Sequence, residues 1–449
     1  MRRRWWRIAA EVLLAIAVTV VAAWSFGRAP AKQAGDEANW VGTARYFLVA
    51  VVQRDLSADA WADSYWTRTQ PMVPRYIMGG WLWARGVPFE HLDPAFDHTK
   101  KWFTNVREGK APDEATLDEV RVPMRALAAL SAVLLYGVVR VMAGPIGGLA
   151  AALLYCGSSY VPLHMVRAMG EPPFMAFLLA TLLVSLLGIQ RSARRGPSIG
   201  LGIAVGLLLG LAFSSKLTAI IAMLAIILWG VRAAVGEPLA RRLTGLRAGS
   251  TGAPTVPVRL VGRRWLVWSL GVVALAVLTF VATNPFLYRD PVGRMLLLFQ
   301  NRQTEMAAQA EFDPSRAVTN LPDRIERVWT ASLIEDTWAD RRLRWPLEAA
   351  LAIVGFAWLV ARAVRPQANA EAFLLLWVAG FFGGVSFALG YVLDHYFIPT
   401  ATFGIVLAGL AVGWSAQLAW QLARRRLPIS DYGALTNSRL PFGNDSART

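Results

Sequence analysis

Apolar residues run along this chain in long blocks, and the polar residues gather between them. Blocks long enough to cross about 30 Å of hydrocarbon lie at 8–26, 124–142, 146–163, 172–189, 198–213, 217–233, 265–283, 346–361, 371–392 and 396–421. The pattern predicts an all-α polytopic membrane protein with about ten transmembrane helices. Only Ser214, Ser215 and Lys216 separate the fifth and sixth blocks. Read as one bent helix, they would reverse every later element, so charge must arbitrate. With Arg2, Arg3, Arg4 and Arg7 inside, ten crossings also place inside Arg191, Arg194, Arg195, the basic 232–264 loop, Arg362, Arg365, Arg424, Arg425 and Arg426. Merging the two blocks would expel the arginine-rich loop. Both ends are therefore expected on the cytoplasmic side.

Composition agrees with this reading. Of the 449 residues, 55% are hydrophobic and 17% charged, against about a quarter charged in soluble domains. The formal charge of +16 would suit nucleic acid, but the excess falls on the inner loops. It is an orientation signal, and no nucleic-acid partner is expected. The single Cys156 excludes an intramolecular disulfide and a cysteine metal cluster. Residues 1–26 read as a retained signal anchor, with Glu11 expected to pair with Arg7 one turn away. The excess of Arg over Lys suggests a bacterial inner membrane.

Two long segments, 27–123 and 284–345, fall outside. Asp36 to Val52 puts Trp40, Ala44, Phe47 and Val51 on one face, as in a helix lying in the interface. Met72 to Arg85 predicts a second such helix, and 105–119 reads as charged and solvated. Asn284-Pro285 stops a span, Asp290-Pro291 starts a helix, and 290–312 and 316–330 read as surface helices. The expected organisation is a transmembrane module over 1–290 that includes the first outer loop, 27–123. A second outer loop at 291–345, terminal membrane helices at 346–426 and a disordered cytoplasmic tail at 427–449 follow.

Candidate chemistry collects on the outer side. Asp36, Glu37, Arg75, Arg167, Glu171, Lys216, Asp290, Asp394, His395 and Tyr396 come from separate outer segments, and charge at a membrane surface marks function by default. The order of motifs resembles the GT-C membrane glycosyltransferases, the protein O-mannosyltransferase and aminoarabinose-transferase-like group (glycosyltransferase family 39-like). Asp36-Glu37 resembles the family's acidic pair at the start of a juxtamembrane helix. Gln70-Pro71-Met72-Val73-Pro74-Arg75 is similar to its His-Pro-Pro-Leu-Gly-Lys segment, with Met72 at the second Pro and Arg75 at the Lys. Arg167-Ala168-Met169-Gly170-Glu171-Pro172-Pro173 looks like its basic-then-acidic stretch. Gly210 to Lys216 resembles a Gly-Leu…Lys element, and Tyr396-Phe397-Ile398-Pro399 a late Tyr-x-x-Pro.

The resemblance implies a GT-C-type bundle with juxtamembrane helices in the first outer loop. It also implies inverting sugar transfer from a polyprenyl-phosphate donor to an acceptor hydroxyl on the outer face. Asp36 would be the base, with Glu37 beside it as an acceptor-orienting carboxylate. Arg75, Arg167 and Lys216 would hold the donor phosphate, and Glu171, His395 and Tyr396 would orient substrate. The partners are the lipid-linked donor, an envelope acceptor and the bilayer; no cofactor is expected. No metal is expected either, since the four histidines, His91, His98, His164 and His395, lack ligand spacing and the chain has no Asp-x-Asp.

Other readings compete. Asp36-Glu37 complements a helix N-terminus, Arg75 suits an interfacial anchor beside Trp81 and Trp83, and Arg167 and Glu171 have the spacing of a helical ion pair. Lys216 suits a solvated tip, His395 a structural hydrogen bond, and the tryptophans an interfacial belt. A transporter or flippase of a lipid-linked saccharide would place its charges near mid-membrane, where these blocks are nearly free of them. A non-catalytic scaffold binding a partner through its outer loops is a third class.

Overall fold

The computed structural model describes residues 2–30, 33–57, 59–61, 65–89, 96–192, 196–245, 258–335, 346–365 and 368–426. Arg194, Arg195, His91, the tail from Leu427 and parts of the 232–264 and 284–345 loops lie outside the described residues. The apolar blocks fold as helices: α1 Arg2–Arg28, α6 Glu114–Gly157, α8 Glu171–Ser192, α9 Ile199–Phe213, α10 Ile220–Gly245, α11 Val258–Thr283, α14 Leu347–Ala363, α15 Asn369–Ala388 and α16 Ile398–Arg426. The outer segments add α2 Gly35–Gly42, α3 Tyr65–Thr69, α4 Val73–Ala84, α5 Trp102–Arg107, α7 Tyr160–Met165, α12 Pro291–Phe312 and α13 Leu321–Leu333. Among the described residues, seven helices are long and apolar enough to cross a membrane. Counting α6 as two arms and adding the shorter α9 and α14 yields ten apolar segments.

α6 turns back on itself. Gly144 sits at φ 83°, a conformation that favours glycine, and Pro145 follows it. Beyond this point Gly148 lies against the Tyr136 carbonyl and Arg140, so the second arm folds down along the first. That arm stops at Gly157 rather than continuing to 163. The Ser158 hydroxyl accepts from the backbone N–H groups of Tyr160 and Val161 and starts α7. At the other end α6 begins earlier than the hydropathy implies. Asp113 caps it through the Thr116 N–H (2.7 Å), and Leu117, Val120 and Arg121 are buried, so this turn of helix enters the bundle while Arg107, Glu108, Asp113, Glu114 and Asp118 stay exposed.

Small residues let the helices approach closely. Gly409 and Gly413 of α16 lie against Gly147 and Ala143 of α6, the backbone-to-backbone contact that membrane helices use in place of hydrophobic drive. Glu11 pairs with Arg140 across α1 and α6, while the side chain of Arg7, its expected partner, lies outside the described residues. The tryptophans divide between two roles. Trp5, Trp6, Trp24 and Trp420 are exposed, as an interfacial belt requires, whereas Trp229, Trp377 and Trp414 are buried in the core.

The turns define two ends. Arg232 donates to the Ala363 carbonyl and to Asn369 Oδ1 (both 3.3 Å), which gathers the α10, α14 and α15 turns at one end. At the opposite end the first outer segment builds a core of its own. Trp40, Val41, Ala44, Met78 and Leu82 pack on Leu117, Val120 and Met124 of α6. The α12–α13 segment is tied to the turn before α16 by an antiparallel bridge between Ala317 and Tyr391. In the first outer segment the helix from Gly35 loosens after Gly42 into a 3₁₀ turn and a π turn. It packs on α4.

Candidate active site

One cavity of about 1010 Å³ opens at the end of the bundle that carries the outer segments, enough room for a sugar and part of a lipid carrier. Asp36, Arg75, Glu171, Lys216, His395 and Tyr396 all line it.

Asp36 is the second residue of α2. Its helix starts at Ala34, whose N–H donates to Glu37 Oε2 (3.2 Å). Burial raises the Asp36 pKa above its ordinary value, and neighbouring His98 opposes that rise more than any other group. Glu171 and Glu305 push the same way as burial, Arg302 against it. A carboxylate so placed is a stronger proton acceptor than one in water.

Arg75 reaches the cavity because its segment is docked on the membrane helices. Asn284 Oδ1 accepts from the Met72 N–H (3.0 Å), and the Ser214 carbonyl accepts from the Val73 N–H (3.0 Å). Pro74 then enters the first turn of α4, where its missing N–H costs nothing. The Arg75 side chain is 1% exposed. Its Nη1 donates to the Trp66 carbonyl (2.8 Å), the guanidinium lies 5.6 Å from the Trp40 and Tyr46 ring centres, and Nε is buried with no hydrogen-bond partner. Burial lowers its pKa to about 10, so it remains a cation at neutral pH. Among the described residues no carboxylate pairs with it. A desolvated cation without a counter-ion is costly, and this one stands at the cavity wall.

Lys216 occupies the short α9–α10 turn, with Nζ 2.6 Å from Glu171 Oε1 and 5.3 Å from the Tyr396 ring centre. It is therefore tied down, not a solvated tip. Glu171 pairs with Lys216 instead of with Arg167, and its Oε2 is buried without a partner. His395 Nε2 stands 3.8 Å from Glu171 Oε1.

Two nominated residues do not line the cavity. Glu37 points the other way, into the protein. It accepts from Arg121 Nε (3.0 Å) and Nη2 (2.7 Å) and from the Ala168 N–H (2.8 Å), and it is fully buried. Successive residues of a helix point about 100° apart, and here that turn carries Glu37 toward Arg121 while Asp36 lines the cavity. Arg167 turns aside as well, with Nη1 3.1 Å from His164 Nδ1. Asp394 contributes its backbone carbonyl to the Tyr160 hydroxyl, and Asp290 caps α12 through the Gly293 N–H (3.0 Å).

The cavity also holds groups that the sequence did not single out: Tyr65, His98, Arg302 and Glu305. Arg302 pairs with Glu305 and bonds the Tyr396 hydroxyl, while the Tyr65 hydroxyl bonds Glu305. The Arg302-x-x-Glu305 spacing was visible, but an i,i+3 ion pair reads as an ordinary surface feature. Among the described residues, no group of three or more His, Cys, Asp or Glu comes together to hold a metal ion.

Comparison with known proteins bears on the bundle. Residues 113–253 match the family described as dolichyl-phosphate-mannose-protein mannosyltransferase, a stretch that includes Glu171 and Lys216 but neither Asp36 nor Arg75. No curated protein matches the chain in sequence. The solved structure of ArnT from Cupriavidus metallidurans bound to undecaprenyl phosphate is similar at a TM-score of 0.51 and 15% identity, over 93% of this chain and 63% of that one. The archaeal oligosaccharyltransferase AglB from Archaeoglobus fulgidus, in complex with an inhibitory peptide and a dolichol-phosphate, has a TM-score of 0.46 and 12% identity, over 93% of this chain and 52% of AglB. The chain thus spans between about half and two thirds of the length of these structures. Its helical bundle is of the GT-C type, similar to that of ArnT, and the mannosyltransferase family match falls on the helices that deliver Glu171 and Lys216 to the cavity.

Proposed function

We propose that this protein is a membrane glycosyltransferase that moves a sugar from a polyprenyl-phosphate donor to an acceptor hydroxyl. The observation that carries the reading is the shared cavity of Asp36 and Arg75, a partly buried carboxylate and a buried cation without a counter-ion among the described residues. The acceptor oxygen attacks the anomeric carbon while its proton passes to Asp36. The bond from that carbon to the phosphate oxygen breaks, and the lipid phosphate leaves with its negative charge facing Arg75 and Lys216. A single displacement inverts the anomeric centre.

The Lys216–Glu171 pair keeps the Lys charge at the cavity wall, and the Tyr396 ring centre lies 5.3 Å from Lys216 and 5.4 Å from Arg302. Ile220, Ile221, Val385 and Phe387 make an apolar wall between α10 and α15, a surface suited to the first isoprene units. ArnT, whose structure contains undecaprenyl phosphate, shares this bundle. The cavity lies at the end opposite Arg232 and the α14–α15 turn, which by the positive-inside rule supports a site on the outer face of a bacterial inner membrane.

The test is incubation of purified protein with a panel of polyprenyl-phosphate sugars. One of them should be consumed to polyprenyl phosphate, and Asp36→Asn should abolish that while expression and unfolding stay normal. Transfer by Asp36→Asn near the wild-type rate would remove the base assignment, and movement of the donor across vesicles without consumption would favour a flippase. Labelling of a cysteine engineered at Lys110 from outside the cell checks the sidedness.

A further inference from the structure

We infer that His98 carries the proton from Asp36 to solvent after each transfer. The inference rests on Asp36 acting as the base. Every turnover would leave the Asp36 carboxyl protonated, and it must lose that proton before the next acceptor arrives. While the product and the leaving lipid phosphate still fill the cavity, water on the cavity side is displaced, and a second path releases the proton without waiting for them to depart.

His98 occupies that path. Its imidazole lies on the backbone of Gly35, the residue before Asp36. A Cβ built at Gly35 would come 2.9 Å from His98 Cε1 and 3.0 Å from Nδ1. His98 lines the cavity with Asp36, yet the residue is exposed, so one ring stands both at the cavity of the carboxylate and at bulk water. Imidazole is the side chain that takes up and releases protons near neutral pH.

The turn that presents it is built to hold still. Buried Asn105 accepts from the Asp97 N–H (2.8 Å) and donates to the Asp97 and Lys101 carbonyls (3.0 and 3.2 Å). Asp97 Oδ1 accepts from the Thr99 N–H and hydroxyl (3.0 and 2.6 Å), and Lys100 is clamped to Glu108 at 2.7 Å. The His98 ring packs edge-on to Phe96, with centroids 5.0 Å apart. Other charges sharing the surroundings are Glu171, Arg302 and Glu305 across the cavity and Asp97 and Lys100 in the same turn. Among them His98 opposes the burial of Asp36 most strongly.

The test compares wild type with His98→Phe, which preserves the packing on Gly35, and His98→Gln. Turnover should fall by on the order of tenfold with the donor KM unchanged, less than the roughly hundredfold or greater cost of losing a base itself. Added imidazole should restore part of it, which a purely structural role would not allow. In addition, the infrared carboxyl band lost in Asp36→Asn should titrate at a higher pH in His98→Gln, a readout that needs no turnover. Turnover within about twofold of wild type, loss without imidazole rescue, or an unmoved carboxyl titration would each overturn the role of His98. If Asp36→Asn is inactive while His98→Phe is normal, only this inference fails; if Asp36→Asn transfers normally, the base reading fails with it.

Discussion

Replacing Glu37 by Leu separates a structural role from a chemical one. Glu37 and Arg121 are 0% and 3% exposed, and Glu37 accepts four hydrogen bonds: two from Arg121, one from Ala168 and one from Ala34. Removing the carboxylate strands a buried guanidinium and the Ala168 N–H. Breaking a buried pair from one side costs about 3–5 kcal/mol. Arg121 keeps a 3.4 Å contact to the exposed Asp118, so the lower end, about 3 kcal/mol, is expected here. The loss falls on the joint that holds α2 and the Ala168–Glu171 segment against α6, and Asp36 and Glu171 should be displaced together.

Unfolding in detergent micelles, followed by heat or by denaturant, reads that cost, and proteolysis of the first outer segment reads where it falls. Glu37→Leu combined with Arg121→Met should recover most of the stability, because an apolar pair of similar volume replaces the ions with little net loss. If Glu37→Leu abolishes transfer while unfolding is unchanged, Glu37 acts on substrate. If the double variant is as unstable as the two singles added together, the pair is not the unit described.

Three further outcomes are expected. Arg75→Lys loses the fork and the ring contacts, and the donor KM should rise about tenfold with a smaller change in kcat; equal donor affinity in a binding assay would return Arg75 to a packing role. Because burial raises the Asp36 pKa, the carboxyl protonates at a higher pH than an ordinary one. The rate should therefore decline on acidification through a value above the usual carboxylate range, and a kcat/KM profile whose acidic limb lies within that range would contradict this. A methyl at Gly79 would meet the Ala44 carbonyl at 2.3 Å and Phe47 Cβ at 2.5 Å, so Gly79→Ala should push α4 away and lower both melting temperature and donor affinity; unchanged values would show that the α4 contact does not position Arg75.

Much of the architecture is legible in the chain itself. Runs of apolar residues are a local property, and the cost of unsatisfied backbone in hydrocarbon makes helices their consequence. The caps at Asp113, Asp290 and Ser198 follow from side chains within three residues, and six of the nominated side chains do reach one cavity. What local pattern cannot contain is direction and partner. Asp36 and Glu37 are equivalent in sequence, and only the packing of α2 on α6 turns one toward the cavity and the other toward Arg121, 84 residues away. Arg302 and Glu305 look like a solvated pair until the bundle brings Tyr65 and Tyr396 against them. Sequence determined which segments form long apolar helices and where the charges between them fall in the chain; tertiary structure decided which charges find partners and leaves Arg75 buried with no carboxylate beside it among the described residues, because neutralisation depends on distances between segments that the chain order does not encode.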